Sequence, residues 1–89
     1  MATQIEERRR TRIDLLASII EVSLNGSRKN QIMSSANINP RDLSGIMDFL
    51  VEKELLYVAH VQNEGKQYRV TARGLRFLES YRKILQALE

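Results

Sequence analysis

The order of stop, cap and breaker residues between Ser27 and Thr71 constrains this chain more than any other feature. Asn25-Gly26 tolerates positive φ and ends a first segment of helical periodicity. Ser27 follows, with a hydroxyl able to accept from an orphan N–H at a helix start. Asn39 directly precedes Pro40, a cap followed by a residue whose missing N–H costs nothing in a first helical turn. Thr71 closes the alternating run Tyr68-Arg69-Val70 and caps what comes next. The stretch therefore reads helix, turn, helix, strand, Gly-containing turn, strand, and a capped helix.

Periodicity assigns the faces. The first helix is predicted from about Ile5 or Glu6 to Leu24, after a patternless tail over 1–5. Ile13, Leu16, Ala17, Ile20 and Leu24 make one apolar stripe, widened by Leu15, Ile19 and Val22. A short second helix, about Arg28 to Ser35 with Ser27 as its cap, turns Ile32, Met33 and Ala36 inward. The third helix places Leu43, Ile46, Met47, Leu50 and Val51 inside. Its outward positions are Arg41, Ser44, Gly45, Asp48 and Glu52. Gly45 costs about 1 kcal/mol against Ala in mid-helix; it would allow close backbone approach to DNA or to a neighbouring helix, and packing on that helix is the expected reason.

Leu55–Gln62 and Gln67–Val70 are strand-like and joined by Asn63-Glu64-Gly65-Lys66. Tyr68 and Val70 share one face; Gln67, Arg69 and Thr71 share the other. The last helix, about Ala72 to Leu88, carries Leu78, Tyr81, Leu85 and Leu88 in a heptad-like seam, with Leu75, Phe77 and Ile84 beside it. The expected fold class is mainly α with a small β-hairpin (α+β): a winged helix-turn-helix with an extended C-terminal helix. The whole chain, 1–89, is one domain, with the winged core over 6–71 and the last helix over 72–89.

Size and composition exclude most chemistry. Eighty-nine residues bury roughly 60–65% of their unfolded surface, enough for one marginal core. There is no Cys, no apolar run near the ~20 residues of a membrane span, and no apolar leader, so a reducing cytoplasm is the expected compartment. His60 stands alone, without a second metal-ligating side chain at useful spacing. No Ser-His-acid set, phosphate-binding Gly-rich loop or dinucleotide fingerprint can be assembled. The chain is read as a non-enzyme without cofactor or metal.

Net charge is only +3, but unevenly placed. Residues 41–54 hold Arg41 and Lys53 against Asp42, Asp48, Glu52 and Glu54. Residues 64–83 hold Lys66, Arg69, Arg73, Arg76, Arg82 and Lys83 against Glu64 and Glu79. A polyanion would feel the second region, and the run Arg8-Arg9-Arg10-Thr11-Arg12, most strongly. Candidate DNA-binding residues follow. Arg28, Lys29 and Asn30 open the second helix, where free N–H groups suit phosphate. Pro40, Arg41, Ser44 and Gly45 form the exposed start of the third, where a recognition helix meets base edges. Lys66 and Arg69 lie on the hairpin.

The chain resembles the small archaeal winged-helix regulators and chromatin-associated proteins over about Arg8 to Leu88. The likeness rests on Arg10–Leu16 (R-x-R-I-D-L-L), Asn25-Gly26-Ser27-Arg28-Lys29, Ala36–Asn39, Asp48–Lys53 followed by Leu55-Leu56, and Tyr68–Thr71 with Gly74 and Leu78. It implies double-stranded DNA binding and a homodimer in which Leu78, Tyr81, Leu85 and Leu88 pair with a second copy in a coiled coil. Two positions depart from the pattern. Similar proteins tend to carry Lys where this chain has Ser44 and Gly45, and Gly where it has Glu54.

The expected function is therefore DNA binding as a transcriptional regulator or nucleoid-associated protein, with the third helix in the major groove and the hairpin on the backbone or an adjacent groove. The alternative is a winged-helix protein-interaction module without direct DNA contact, favoured by the acidic balance over 41–54.

Overall fold

A computed structural model describes residues 11–89. Among these residues, four helices and a two-stranded antiparallel sheet follow in the order α1 (Arg12–Val22), α2 (Lys29–Ala36), α3 (Pro40–Glu52), β1 (Leu56–Val61), β2 (Gly65–Val70) and α4 (Ala72–Ala87). The mainly helical class with a small hairpin, read from the sequence, is the observed one.

The predicted first helix does not run unbroken through Thr11. Ile5, Glu6 and Arg8–Arg10 lie outside the described residues, but Thr11 is an extended N-cap, so α1 begins at Arg12 rather than running through it. Thr11 Oγ1 accepts from the Asp14 N–H at 3.1 Å, and the Asp14 carboxylate accepts from the Thr11 N–H at 3.3 Å. This reciprocal pair is a capping box. Ile13 in its first turn is 57% exposed, and Leu24, past its end, 40% exposed; neither joins the inward stripe.

The expectation for Ser27 is corrected as well. Arg28 is the N-cap of α2, and its backbone N–H donates to Gln31 Oε1 at 2.9 Å. Ser27 is buried and exchanges two backbone hydrogen bonds with Tyr68, at 2.9 and 2.7 Å. Its hydroxyl donates to the Val22 carbonyl, so the α1–α2 link docks on β2 instead of capping α2. The Asn39-Pro40 signal is met as expected: Asn39 Oδ1 accepts from the Asp42 N–H at 2.9 Å, and Pro40 stands in the first turn of α3.

The end of α3 shows what the departure at Glu54 does. Glu54 takes φ +61. Its N–H donates to the Val51 carbonyl at 3.0 Å, and the Leu55 N–H reaches back to the Leu50 carbonyl at 2.9 Å. Those two bonds define a Schellman ending whose left-handed position favours Gly. A left-handed non-Gly residue costs roughly 1–2 kcal/mol, partly offset by the extra freedom Gly would bring to the unfolded chain. Glu54→Gly is therefore expected to stabilise the fold by about 0.5–1 kcal/mol. A raised urea midpoint at unchanged slope shows it; a lowered midpoint refutes it.

The hairpin pairs Leu56 with Val70, Tyr57 with Arg69, Val58 with Tyr68, and so on to Val61 with Gly65. The turn lies over 62–64, one residue earlier than expected, and both Asn63 and Gly65 adopt positive φ. Leu56, Val58, Tyr68 and Val70 face the core. Thr71 then caps α4, accepting from the Gly74 N–H at 2.9 Å while its hydroxyl donates to the Glu54 carbonyl at 2.6 Å. The start of α4 is thereby pinned to the α3–β1 corner.

The core lies between α1, α2, α3, the inner face of the hairpin and the first half of α4. Ile19, Ile20, Ile32, Leu43, Met47, Leu50 and Leu56 are fully buried. Leu78 is the deepest apolar side chain of α4 and belongs to this core. An Arg82–Glu21 ion pair at 2.9 Å and a hydrogen bond from Tyr81 Oη to Asp14 Oδ1 tie α4 to α1. From Arg82 onward every residue is exposed, and the long axis of the molecule reaches 48 Å.

Candidate nucleic-acid interface

The outward face of α3 follows from its stripe. With Leu43, Ile46, Met47 and Leu50 buried, Arg41, Ser44, Gly45, Asp48 and Glu52 all point to solvent, as expected. α2 crosses so that Lys29 Nζ donates to Ser44 Oγ at 3.1 Å. That contact joins the first turn of α2 to the recognition face of α3. The Arg41 side chain makes no hydrogen bond or ion pair with any described residue, and its guanidinium stands beside exposed Pro40. Asn30 is exposed one residue beyond Lys29.

Gly45 is not explained by packing, contrary to expectation. A Cβ built there would meet nothing within 4 Å. The position is a bare stretch of helix surface, open to whatever approaches from outside.

The hairpin contributes unevenly. Lys66 is exposed, its ammonium 5.8 Å from the centroid of the Tyr68 ring. Arg69 is half-buried on the outer face; its guanidinium donates to Gln67 Oε1 at 3.3 Å and lies over Gly26. Arg69 is thus partly committed to the fold. The sequence reading missed one acidic member of this face. Glu64 at the hairpin turn lies 3.8 Å from the Arg28 guanidinium and accepts from Gln67 Nε2 at 3.3 Å. Its place in the turn was legible, but not the fold-back that sets it against Arg28.

The four residues expected at a dimer seam do not form one open edge. Leu78 is buried in the chain's own core, and half-buried Tyr81 spends its hydroxyl on Asp14. Leu85 and Leu88 are 42% and 79% exposed. Seam spacing and core spacing coincide on a helix, so sequence could not separate the two roles.

Two packed helices joined by a tight turn, an exposed third-helix face and a β-hairpin beside it define a helix-turn-helix protein with a wing. The chain belongs to the winged helix-turn-helix family, which it matches over residues 9–89. No curated protein matches the sequence. Among solved structures it is similar to Sso10a-2, a DNA-binding protein from Sulfolobus solfataricus, with TM-score 0.71 and 22% identity over 89% of this chain and 85% of that one. It is also similar to MepR, a transcription regulator of the Staphylococcus aureus multidrug efflux pump MepA, with TM-score 0.74 and 18% identity over 97% of this chain. The MepR–DNA complex gives TM-score 0.70 at 18% identity. The chain spans only about 65% of MepR in the first of these and 64% in the second.

Proposed function

We propose that this protein binds double-stranded DNA, as a transcriptional regulator or nucleoid-associated protein in the cytoplasm. The start of α3 enters the major groove, and the hairpin lies on the backbone or the adjacent groove. The observation that carries the reading is the Lys29–Ser44 contact beside an exposed Arg41 and a bare Gly45. Together they make an exposed strip with cations at its edge and no side chain at Gly45. Asp48 and Glu52 lie one and two turns further along α3. They favour entry by the N-terminal half, with the acids held away from phosphate. The same fold in a DNA-binding protein and in a regulator solved with DNA supports the reading.

Each phosphate contact contributes about 0.9 to the slope of log affinity against log salt, hence up to about tenfold in affinity near 0.1 M salt. Lys29→Ala and Lys66→Ala are expected to weaken binding by that much on every sequence. Arg41→Ala should also relax preference at one base position, by about 1–3 kcal/mol, if its fork reads a base edge. Glu64→Gln removes the carboxylate beside Arg28 and should strengthen binding. Fluorescence anisotropy at low salt checks all four; unchanged affinity in every variant would place the docking face elsewhere.

A homodimer through the second half of α4 completes the reading. Leu85 and Leu88 are exposed together there, and soluble monomers avoid contiguous apolar patches. A two-fold pairing buries both copies at once and would favour half-sites about 34–36 Å apart. Leu85→Glu combined with Leu88→Glu is expected to give a monomer in analytical ultracentrifugation. A dimer unchanged by both substitutions, or a monomeric wild type at high concentration, contradicts the pairing.

A further inference from the structure

A second surface owes nothing to the recognition face. Between α1, the end of α3 and α4 lies a groove of about 530 Å³, within the roughly 300–1,000 Å³ of small-molecule sites. Its walls include Ile13, Phe49, Leu55, Phe77, Tyr81 and Ile84. Ile13 and Ile84 are 57% and 60% exposed, so the described residues leave this apolar surface open.

The polar lining is one-sided. Lys53, Arg73 and Arg76 border the groove, and among the described residues no carboxylate does. The side chains of Arg73 and Arg76 make no hydrogen bond or ion pair with a described residue. Lys53 has only the face of Phe49, at 5.8 Å. Asp14 of α1 is occupied by Thr11 and Tyr81. Three cations around an apolar trough repel one another and are matched by an anion carrying its own apolar body. They also have a direction. Lys53 closes α3, and Arg73 and Arg76 open α4, whereas Ile84 lies two turns or more further along α4 and Ile13 opens α1.

We propose that this groove binds a small amphiphilic organic anion, an alkyl carboxylate. The carboxylate sits among Lys53, Arg73 and Arg76, and the chain runs over Phe77 and Tyr81 toward Ile13 and Ile84. Leu85 and Leu88 do not line the groove, so pairing through them leaves it open. Because the groove includes the end of α3 and much of α4, a bound anion would bear on both elements.

The test uses the full chain without DNA, so its outcome is independent of the DNA reading. Isotope-labelled protein is titrated by NMR with decanoate below its micelle-forming concentration, and separately with decyltrimethylammonium. Decanoate should give saturable shifts centred on Ile13, Phe49, Phe77 and Ile84, with the cation at least tenfold weaker. Arg73→Gln with Arg76→Gln should weaken decanoate at least tenfold at unchanged melting temperature. Ile84→Glu, at an exposed position that folding does not depend on, should abolish binding. Absence of saturation, equal affinity for the cation, or full affinity in the double Gln variant overturns the proposal. So do contacts between groove methyls of two copies that persist at saturating decanoate, or an acidic amphipathic peptide binding where decanoate does not. The first would assign the groove to a second copy, the other to a protein partner.

Discussion

Gly74→Ala is expected to destabilise this fold by about 3 kcal/mol, although alanine is normally the better helix former by about 1 kcal/mol. A Cβ at Gly74 would stand 2.2 Å from the Leu55 carbonyl oxygen and 2.8 Å from Val70 Cγ1. The first obstacle is backbone and cannot rotate away. The helix start is held against it by the Thr71 hydroxyl, which bridges the Glu54 carbonyl and the Gly74 N–H. Relief therefore requires α4 to lift from the α3–β1 corner, loosening Leu78 in the core. Gly45→Ala is the internal control. Its Cβ meets nothing, so it should stabilise by up to about 1 kcal/mol. Urea unfolding of the two variants should move in opposite directions. Equal or like-signed shifts would show that the close approach at Gly74 is wrong.

Leu50→Ala should cost about 2–5 kcal/mol, the range for removing a fully buried leucine. In a domain of this size each kcal/mol moves the melting temperature by roughly 4–8 °C, so a fall of more than about 10 °C is expected. Ser44→Ala loses one exposed hydrogen bond from Lys29 and should stay within about 0.5 kcal/mol of wild type. Comparable shifts in the two would mean that the inner and outer faces of α3 are exchanged.

What was legible in the chain was whatever depends on neighbours in sequence. Asn39-Pro40 and Thr71 satisfy orphan N–H groups three residues on, and the stripe of α3 repeats every three or four; both were read as they stand. Thr11 carried the same kind of signal, a hydroxyl with Asp14 three residues later. It was hidden inside an arginine run that reads as the opening of one long helix. Ser27 failed for a different reason. Its hydroxyl and backbone are taken by Val22 and Tyr68, and the Tyr68 partner is 41 positions away along the chain. Local chemistry makes Ser27 look like a cap, and only the fold reassigns it.

The site was legible to the same degree. Exposure of Arg41, Ser44 and Gly45 followed from periodicity. The Lys29–Ser44 and Arg28–Glu64 contacts did not, because they depend on how α2 and the hairpin come to rest against their neighbours. Glu54 was marked as a position where Gly is usual, and its left-handed backbone shows why. The apolar seam of α4 divided in a way no pattern could show: Leu78 went to the core, Tyr81 to Asp14, and Leu85 and Leu88 to solvent.

The central claim is that Arg28, Lys29, Arg41 and Lys66 meet the phosphates and base edges of duplex DNA. It is tested most directly by the affinity of the wild-type protein for a random-sequence duplex as salt is raised. Three phosphate contacts per protomer, or four if Arg41 also meets the backbone, would give a slope of log affinity against log salt of about −2.7 to −3.6, and a dimer engaging both halves a steeper one. A slope of about −2.7 or steeper is the predicted result. No binding at low salt, or binding whose affinity barely changes with salt, would contradict it.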